Sequence, residues 1–567
     1  MTEIKETKAQ RVERLKRAKN AWEHFDEIRE FARSGHGSIP PEWLGTYFRS
    51  WGIYTQGDGV GVVGGKNGEG KATPFFMVRI RIPNGLLRSD QVRAIASLSE
   101  DYARGLADIT VRQNIQLHWV PIEALPELMV RLWDAGLTTT GACGDVARNV
   151  TGCPVAGIDA HEHVDASPLA LAIDRELGGQ REFYNLPRKF KISVTGCRTW
   201  CTYPEINDVA FTAVARERGS RRENGFSLRI GGGLSTEPHL ALKLPAFIQW
   251  AQVVPVARGV AELFRASDVL RQSREHARLK YLFLNHGWTA ESFLDELQNV
   301  IGFALDPPEP DEIPEDIHRD HTGVHGQKQS GLYYVGATVL NGRITPAQLR
   351  KAADLADSFA DGHLRTTAQQ NLLIANVREE QAGRVAAELQ LAGLPVGTSS
   401  VFARGTVACT GTEFCKLALT ETKNFARWLS GELEERLPGF EEQLKLHITG
   451  CPNSCGQHWI ADIGIEGKKI KQDGKLVDAY YFCVGGGIGR FASIARPVGY
   501  RCAASAVPDA IERLLNTFQS QREDRESLRE FLVRQSNDEI RAVLSGEIVS
   551  SVERDLPEGT VAAALES

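Results

Sequence analysis

Four cysteines in two short clusters hold the strongest chemical signal in the chain: Cys409 and Cys415 in ACTGTEFC, then Cys451 and Cys455 in TGCPNSC. Four thiolates from two loops are the ligand set of a cubane [4Fe–4S] cluster. The C-x5-C and C-x3-C spacings differ from the ferredoxin run and from the C-x2-C pairs typical of zinc. Four buried thiols or a zinc site are the competing readings. A second set is cationic: Arg79, Arg112, Arg148, Lys189 and Lys191. Lys189 and Lys191 stand two apart, so a strand there points both to one face. Burying an oxyanion or a polycarboxylate requires such paired cations and donors. The bland reading of any single Arg or Lys is a solvated surface charge.

The chain is written twice. Asn84-Gly85 opens NGLLRSDQVRAIASLSEDYARGLADITVRQN, and Asn341-Gly342 opens NGRITPAQLRKAADLADSFADGHLRTTAQQN. The two align without a gap to Ala135-Gly136-Leu137 and Ala392-Gly393-Leu394, with identities at Gln91/Gln348, Arg93/Arg350, Thr110/Thr367 and Gln113/Gln370. Further on, ARNVTGC (147–153) matches ARGTVAC (403–409), and TGCRTWC (195–201) matches TGCPNSC (449–455). The copies diverge where chemistry would sit. The second has all four cysteines. The first has Cys153, Cys197 and Cys201, with Asp159 in the place of Cys415, and they read as degenerate remnants or as ligands of a second cluster. The first copy carries extra cations instead: Arg79 against Gly336, Arg112 against Gln369, Lys189 against Gln443. One half reads as specialised for metal and the other for anions.

On these motifs the chain resembles the nitrite and sulfite reductase haemoproteins over residues 45–500. The family's R-x-R before a turn is Arg79-Ile80-Arg81, its T-x-R-Q-N/T is Thr110 to Asn114, its R-N is Arg148-Asn149, and its L-P-R-K-F-K is Leu186 to Lys191. The resemblance implies a siroheme coupled to a [4Fe–4S] cluster through one shared thiolate, with Cys409, Cys415 and Cys451 as terminal ligands and Cys455 as the bridge. It implies Arg79, Arg148, Lys189 and Lys191 as catalytic residues around the substrate oxyanion. Arg112, Gln113, Asn114, Arg148, Lys189 and Cys455 would bind the cofactor. The implied reaction is six-electron reduction of sulfite to sulfide, with nitrite to ammonia as the alternative. Lys191 sets that order, because plant-type nitrite reductases of the family have Asn there and sulfite reductases have Lys. Some sulfite-reducing members also cross-link a cysteine at the place of Cys143 to a tyrosine, here Tyr54. An ordinary free thiol is the favoured reading of Cys143. A redox sensor holding a cluster but no siroheme is the rival from another class.

Other features bound the answer. The 567 residues are 42% hydrophobic and 24% charged, which suits several buried cores. A formal net charge of −6 argues against nucleic acid as a partner. Ten cysteines in so long a chain do not suggest a secreted disulfide scaffold. The charged N-terminus lacks an apolar signal core, and no apolar run reaches spanning length, so a cytoplasmic protein without a membrane partner is expected, as a monomer. Gly59-x-Gly61-x-x-Gly64 matches a dinucleotide motif without its strand and helix. Gly65-x4-Gly70-Lys71 nearly matches a P-loop, but Ala72 stands where Ser or Thr should be. A flexible glycine-rich loop is the better reading of 57–71. With no flavin or nicotinamide motif, electrons are expected from ferredoxin. His118, His447 and His458 read as packed histidines rather than proton donors, and Cys483 and Cys502 as core residues.

The elements that must position these groups follow from hydrophobic periodicity. Each copy opens on an alternating strand, FFMVRIRIP or LYYVGATVL, followed by an amphipathic helix, a second strand and a second helix. The fold class is therefore α+β: a pseudo-twofold repeat of ferredoxin-like half-domains plus two αβ domains, which the resemblance implies bind siroheme and [4Fe–4S]. The expected divisions are an N-terminal helical arm and Gly-rich loop (1–74), half-domain 75–145, αβ domain 146–325, half-domain 326–400, αβ domain 401–504 and a helical tail (505–567).

Overall fold

The alternating segments form central strands, Ala72–Ile80 in the first copy and Leu332–Ala337 in the second. The computed structural model describes residues 6–62, 69–219, 221–311 and 319–547. Each central strand pairs antiparallel with a second, Ile115–Pro121 or Leu372–Arg378. Helices Ser89–Tyr102 and Pro346–Phe359 follow and bury matching apolar faces: Val92, Ile95, Ala96 and Leu98 in one, Leu349, Ala352, Ala353 and Leu355 in the other. This is the spacing of one helical stripe. Thr345 caps the second helix and Gln348 closes the capping box. Among the described residues no helix is long and apolar enough to cross a membrane.

The two half-domains exchange a strand. Arg343–Ile344 completes the first sheet against Ala107–Ile109, and Leu86–Arg88 completes the second against His363–Thr366. The Gln113/Gln370 and Asn114/Asn371 identities lie at this joint. Gln113 Nε2 donates to the Asn84 and Thr366 carbonyls at 3.3 and 3.0 Å, and Gln370 Nε2 donates to the Ile109 carbonyl at 2.9 Å. Their Oε1 atoms accept from Gly152 N and Ala408 N. Gly85 and Gly342, at φ +70° and +74°, approach the other copy so closely that a Cβ would stand 2.3 Å from a carbonyl oxygen, which explains glycine at both turns. Asn114 Oδ1 accepts from Ile82 N, and Asn371 Oδ1 from Val339 N. Gln113 and Asn114 were expected to bind a cofactor. In the structure the Gln113 amide and the Asn114 Oδ1 bond to backbone groups of the joint, as do the Gln370 amide and the Asn371 Oδ1 in the second copy, while Asn371 Nδ2 is buried without a partner.

Each αβ domain is one five-stranded sheet. Its first three strands are parallel and the rest antiparallel: Ala147–Gly152, Phe190–Thr195, Val209–Arg218, Arg221–Ile230 and Leu242–Gln249 in the first copy. Thr406–Ala408, Leu446–Thr449, Ile463–Gln472, Lys475–Val484 and Arg496–Ala503 repeat the pattern. The cysteine loops leave the carboxyl ends of the two adjacent parallel strands, where loops of one sheet emerge side by side. The C-terminal helices close the last core with Leu514, Leu515, Phe518 and Phe531.

The N-terminal arm reaches the loop before Lys189. From helix Lys8–Ala18, Lys16 Nζ donates to the Leu186 carbonyl at 2.8 Å and lies 3.5 Å from Asp145. Arg271 and Arg274 hold the Asn185 and Pro187 carbonyls at 3.0 Å each. Arg274 also reaches Asp145 at 2.7 Å and Arg188 does so at 3.2 Å. Burial would raise the Asp145 carboxyl, but Arg274, Lys16 and Arg188 outweigh it and hold it far below the usual carboxylate range.

Two outcomes follow for stability. Gln113→Leu strands the Gly152 N–H and two carbonyls in the buried joint, a loss of about 1–3 kcal/mol read as a lower thermal midpoint at fixed scan rate. For Asp145 the folded pKa lies below the unfolded one, so its contribution is present above about pH 4 and is lost as pH falls through and below that value. Asp145→Asn should lower the midpoint at pH 7, since breaking a buried pair costs about 3–5 kcal/mol, and should flatten the wild-type decline on acidification. An unchanged acid limb would show that this carboxylate does not hold the clamp.

Candidate active site

Cys409 follows the strand Thr406–Ala408, and Cys451 and Cys455 follow Leu446–Thr449. Backbone and side-chain donors already face the sulfurs: Gly450 N–H donates to Cys409 Sγ at 3.2 Å and Asn453 Nδ2 to Cys451 Sγ at 3.5 Å. Burial pushes the Cys415 thiol up to about 12, with Cys455 the next cause. Cys409 and Cys451 are raised by the same two causes in the same order. Cys455 is the exposed member of the set. Thiols crowded until ionisation is disfavoured, yet already given N–H donors, are relieved by metal, which takes them as thiolates.

The first cysteine loop of the second copy rests on the half-domain of the first. Phe414 stacks on His118 with ring centroids 3.7 Å apart and meets Trp119 edge-on at 5.7 Å. Glu413 pairs with Arg343 at 2.9 Å. Gly57, Val62 and Gly70 donate their N–H groups to the Phe414, Ala418 and Lys416 carbonyls at 2.9, 2.9 and 2.7 Å. The glycine-rich segment was expected to be a flexible loop. Its described ends are instead pinned along the Cys415 loop, and at Gly61, φ +83°, a Cβ would stand 2.5 Å from the Ala418 carbonyl oxygen. Gly64 and Gly65 lie outside the described residues.

The cations converge on the same junction. Arg79 donates to Gln116 Oε1 at 2.8 Å and to Cys143 Sγ at 2.9 Å, and Gln116 Nε2 donates on to Thr410 Oγ1 at 3.4 Å, next to Cys409. Burial opposes the charge on Arg79, but Cys143, Tyr54, Cys455 and Cys415 outweigh it and its pKa is raised. Cys143 is a free buried thiol. Arg112 holds Asn207 Oδ1 at 2.8 Å and the Asn149 carbonyl at 2.7 Å, with its buried Nε unpartnered. Burial, then Arg148, pushes its pKa down to about 9. Arg148 is buried and aims at the Gly144 carbonyl at 2.9 Å.

Lys189 and Lys191 flank Phe190 at the start of strand Phe190–Thr195. Asp208, the nearby carboxylate, is occupied: it accepts from the Lys191 N–H at 2.7 Å and from Arg278 at 3.0 and 2.8 Å. Among the described residues neither ammonium has an acceptor at hydrogen-bonding distance. Burial, then Arg188 and Arg278, pushes Lys189 down to about 7, while Cys455 pulls the other way. Burial, then Arg112, Arg278 and Lys189, pushes Lys191 down. Like charges therefore crowd one cleft with no carboxylate left to neutralise them, which is an anion site by electrostatics.

The other expectations resolve individually. Arg81 pairs with Asp174. His118, His447 and His458 are buried and contact Asp108, the Gln457 carbonyl and Glu466. Burial lowers the pKa of all three, as for packed histidines. The sequence reading missed Gln116, Arg278 and His321, the last standing 3.2 Å from Cys201. Only their polarity within apolar or linker segments marked them out.

Comparison with known proteins agrees with this geometry. The nitrite and sulphite reductase 4Fe-4S domain matches residues 143–304 and 401–550, and the nitrite/sulfite reductase ferredoxin-like half domain matches 69–133 and 325–392. The chain is 37% identical over 546 residues to an assimilatory ferredoxin-dependent nitrite reductase of Haloferax mediterranei, covering 91% of this chain and 90% of that one. It is 35% identical to sulfite reductase [ferredoxin] 2 of Mycolicibacterium paratuberculosis, covering 90% and 92%. The solved structure of the Mycobacterium tuberculosis NirA protein superposes with a TM-score of 0.87 at 34% identity, covering 94% of this chain and 97% of that one. With both domain types matched twice and relatives aligned along nearly its whole length, the chain belongs to the nitrite and sulfite reductase family, the siroheme and [4Fe–4S] enzymes.

Proposed function

We propose that this chain is a ferredoxin-dependent reductase taking sulfite to sulfide. The observation carrying the choice is the pair of ammonium groups, Lys189 and Lys191, left without carboxylate partners beside Arg112 and Arg278. Near neutral pH sulfite exists in part as a dianion, whereas nitrite is a monoanion. One more cation in the cleft favours the higher charge by roughly a few kcal/mol at an effective dielectric of about 20. The nitrite reading is supported by the Haloferax mediterranei relative, whose name carries that activity.

The cofactors fit the donors present. Cys409, Cys415 and Cys451 would hold the cluster as terminal ligands, and Cys455, the exposed thiol whose charge acts on both Arg79 and Lys189, would be the ligand shared with siroheme. Arg112, Arg148 and Lys189 would receive siroheme carboxylates, which answers the orphaned Arg112 Nε. When bound, siroheme and cluster supply single electrons to the substrate atom in turn, delivered by ferredoxin. Six electrons and six protons turn bisulfite into hydrosulfide and three waters, so the protein must hold anion and protons together. Arg79 and Arg148 offer planar guanidinium forks that orient the oxyanion. Lys189, with a pKa brought to about 7, can surrender a proton and regain it, as a general acid needs. Lys191 recovers its charge when an anion enters.

The ratio of kcat/KM for sulfite to that for nitrite tests the substrate. Lys191→Asn should shift it towards nitrite by about tenfold or more, as about 1.4 kcal/mol of lost attraction requires. An unchanged ratio overturns the sulfite assignment. The Lys189 proton gives a second outcome. Deprotonation as pH rises removes a cation, so kcat/KM should fall on the alkaline side. Lys189→Arg, charged throughout, should move that limb to higher pH.

A further inference from the structure

The loop positions that carry the cluster ligands in the second copy hold a different donor set in the first. Cys153 follows the strand Ala147–Gly152, and Cys197 and Cys201 follow Phe190–Thr195. The fourth place is vacated: Asp159 is bound to Arg319 at 2.6 and 3.1 Å. A replacement donor arrives from the segment leading into the second copy, where His321 sets Nε2 3.2 Å from Cys201 Sγ. Cys153 and Cys197 lie 3.7 and 3.2 Å from the same sulfur. The donor atoms of Cys153, Cys201 and His321 all fall within 4.8 Å of one another. All four residues are buried, none more than 4% exposed. His321 sits at φ +60°, a left-handed conformation costing a non-glycine residue of order 1–3 kcal/mol unless its surroundings hold it.

We propose that Cys153, Cys197, Cys201 and His321 form a closed Cys3His site for one structural zinc ion. Zinc–sulfur bonds of about 2.3 Å in a tetrahedron set sulfurs about 3.8 Å apart, near the 3.7 and 3.2 Å at which Cys153 and Cys197 stand from Cys201; Cys197, outside the group of three mutually close donors, turns inward to complete the site. A cubane places each thiolate on a different iron and spreads its ligands, whereas these sulfurs touch. A disulfide would need about 2.05 Å between sulfurs, would leave one cysteine over and would not explain His321. Zinc with three thiolates carries one net negative charge, and two arginines flank it. Arg319 binds Asp159, and Arg365 donates to the Pro154 and Ala156 carbonyls at 2.9 and 2.7 Å. Binding releases three thiol protons and involves no electron transfer. Val155, Tyr334, Leu373 and Ala375 pack around the thiols, so no coordination position is open to substrate. The ion fastens two loops of the first copy to the opening segment of the second.

The site is tested by metal analysis of holoprotein expressed with added zinc and dialysed against EDTA. The expected content is about one zinc per chain beside about five irons, four for the cluster and one for siroheme. The zinc K-edge spectrum should fit three sulfurs and one nitrogen. Cys201→Ser and His321→Gln should each lose most of the zinc while the siroheme and cluster absorption persists. Wild-type protein with negligible zinc, an iron content near two clusters, or zinc retained by both variants overturns the proposal. Should the variants fail to fold, the wild-type spectrum still decides. Metal content is independent of which anion the enzyme reduces.

Discussion

The bridge from Arg79 through Gln116 to Thr410 joins the two chemistries of this protein. Its first member belongs to the cationic cleft, its last to the cysteine loop, and its middle to a central strand of the first half-domain. The hydrogen bonds are ordinary in length, so the bridge matters through position rather than strength. It ties the position of Arg79 to that of the loop that carries Cys409. The stacking of Phe414 on His118 and the pairing of Glu413 with Arg343 bring the same loop to the same sheet, so three independent contacts set one distance.

The cleft itself is electrostatically unfavourable in isolation. Arg112, Lys189 and Lys191 each have their ionisation depressed by burial and by cationic neighbours, and such crowding costs stability wherever it is not compensated. Compensation comes from outside the cleft. Asp145 gathers Lys16, Arg188 and Arg274, and Asp208 gathers Arg278, so the backbone presenting the lysines is held while the ammonium groups stay unpaired. The N-terminal arm, through Lys16 and the Leu186 carbonyl, positions the loop that leads into Lys189 and Lys191.

Much of this was legible in the sequence. The repeat, the cysteine loops and the cationic set could be read because each carries a local signature, whether of spacing, alternation or identity between copies. What escaped reading depends on contacts between distant segments. Gln113 and Asn114 share a motif with Arg112, and a motif does not say which of its members faces a cofactor and which folds the turn. Their identity in both copies was the clue, since a residue kept where the chemistry differs serves the shared architecture. The glycines of 57–71 resembled phosphate loops because close backbone approach demands glycine whatever is approached, here the carbonyls of the Cys415 loop. His321 escaped because its partners lie 120 and more positions away.

The exchanged strands bear on how the chain comes together during synthesis. The first half-domain sheet has an open edge at Ala107–Ile109 until Arg343–Ile344 has been made, more than 200 residues later. An edge left bare for so long is a template for wrong pairing, and closure over such a separation is slow. Leu86–Arg88 must wait in the same way for His363–Thr366. The amino-terminal half therefore cannot mature ahead of the other. Whatever binds at the junction between them can be loaded only after the second half-domain has been made.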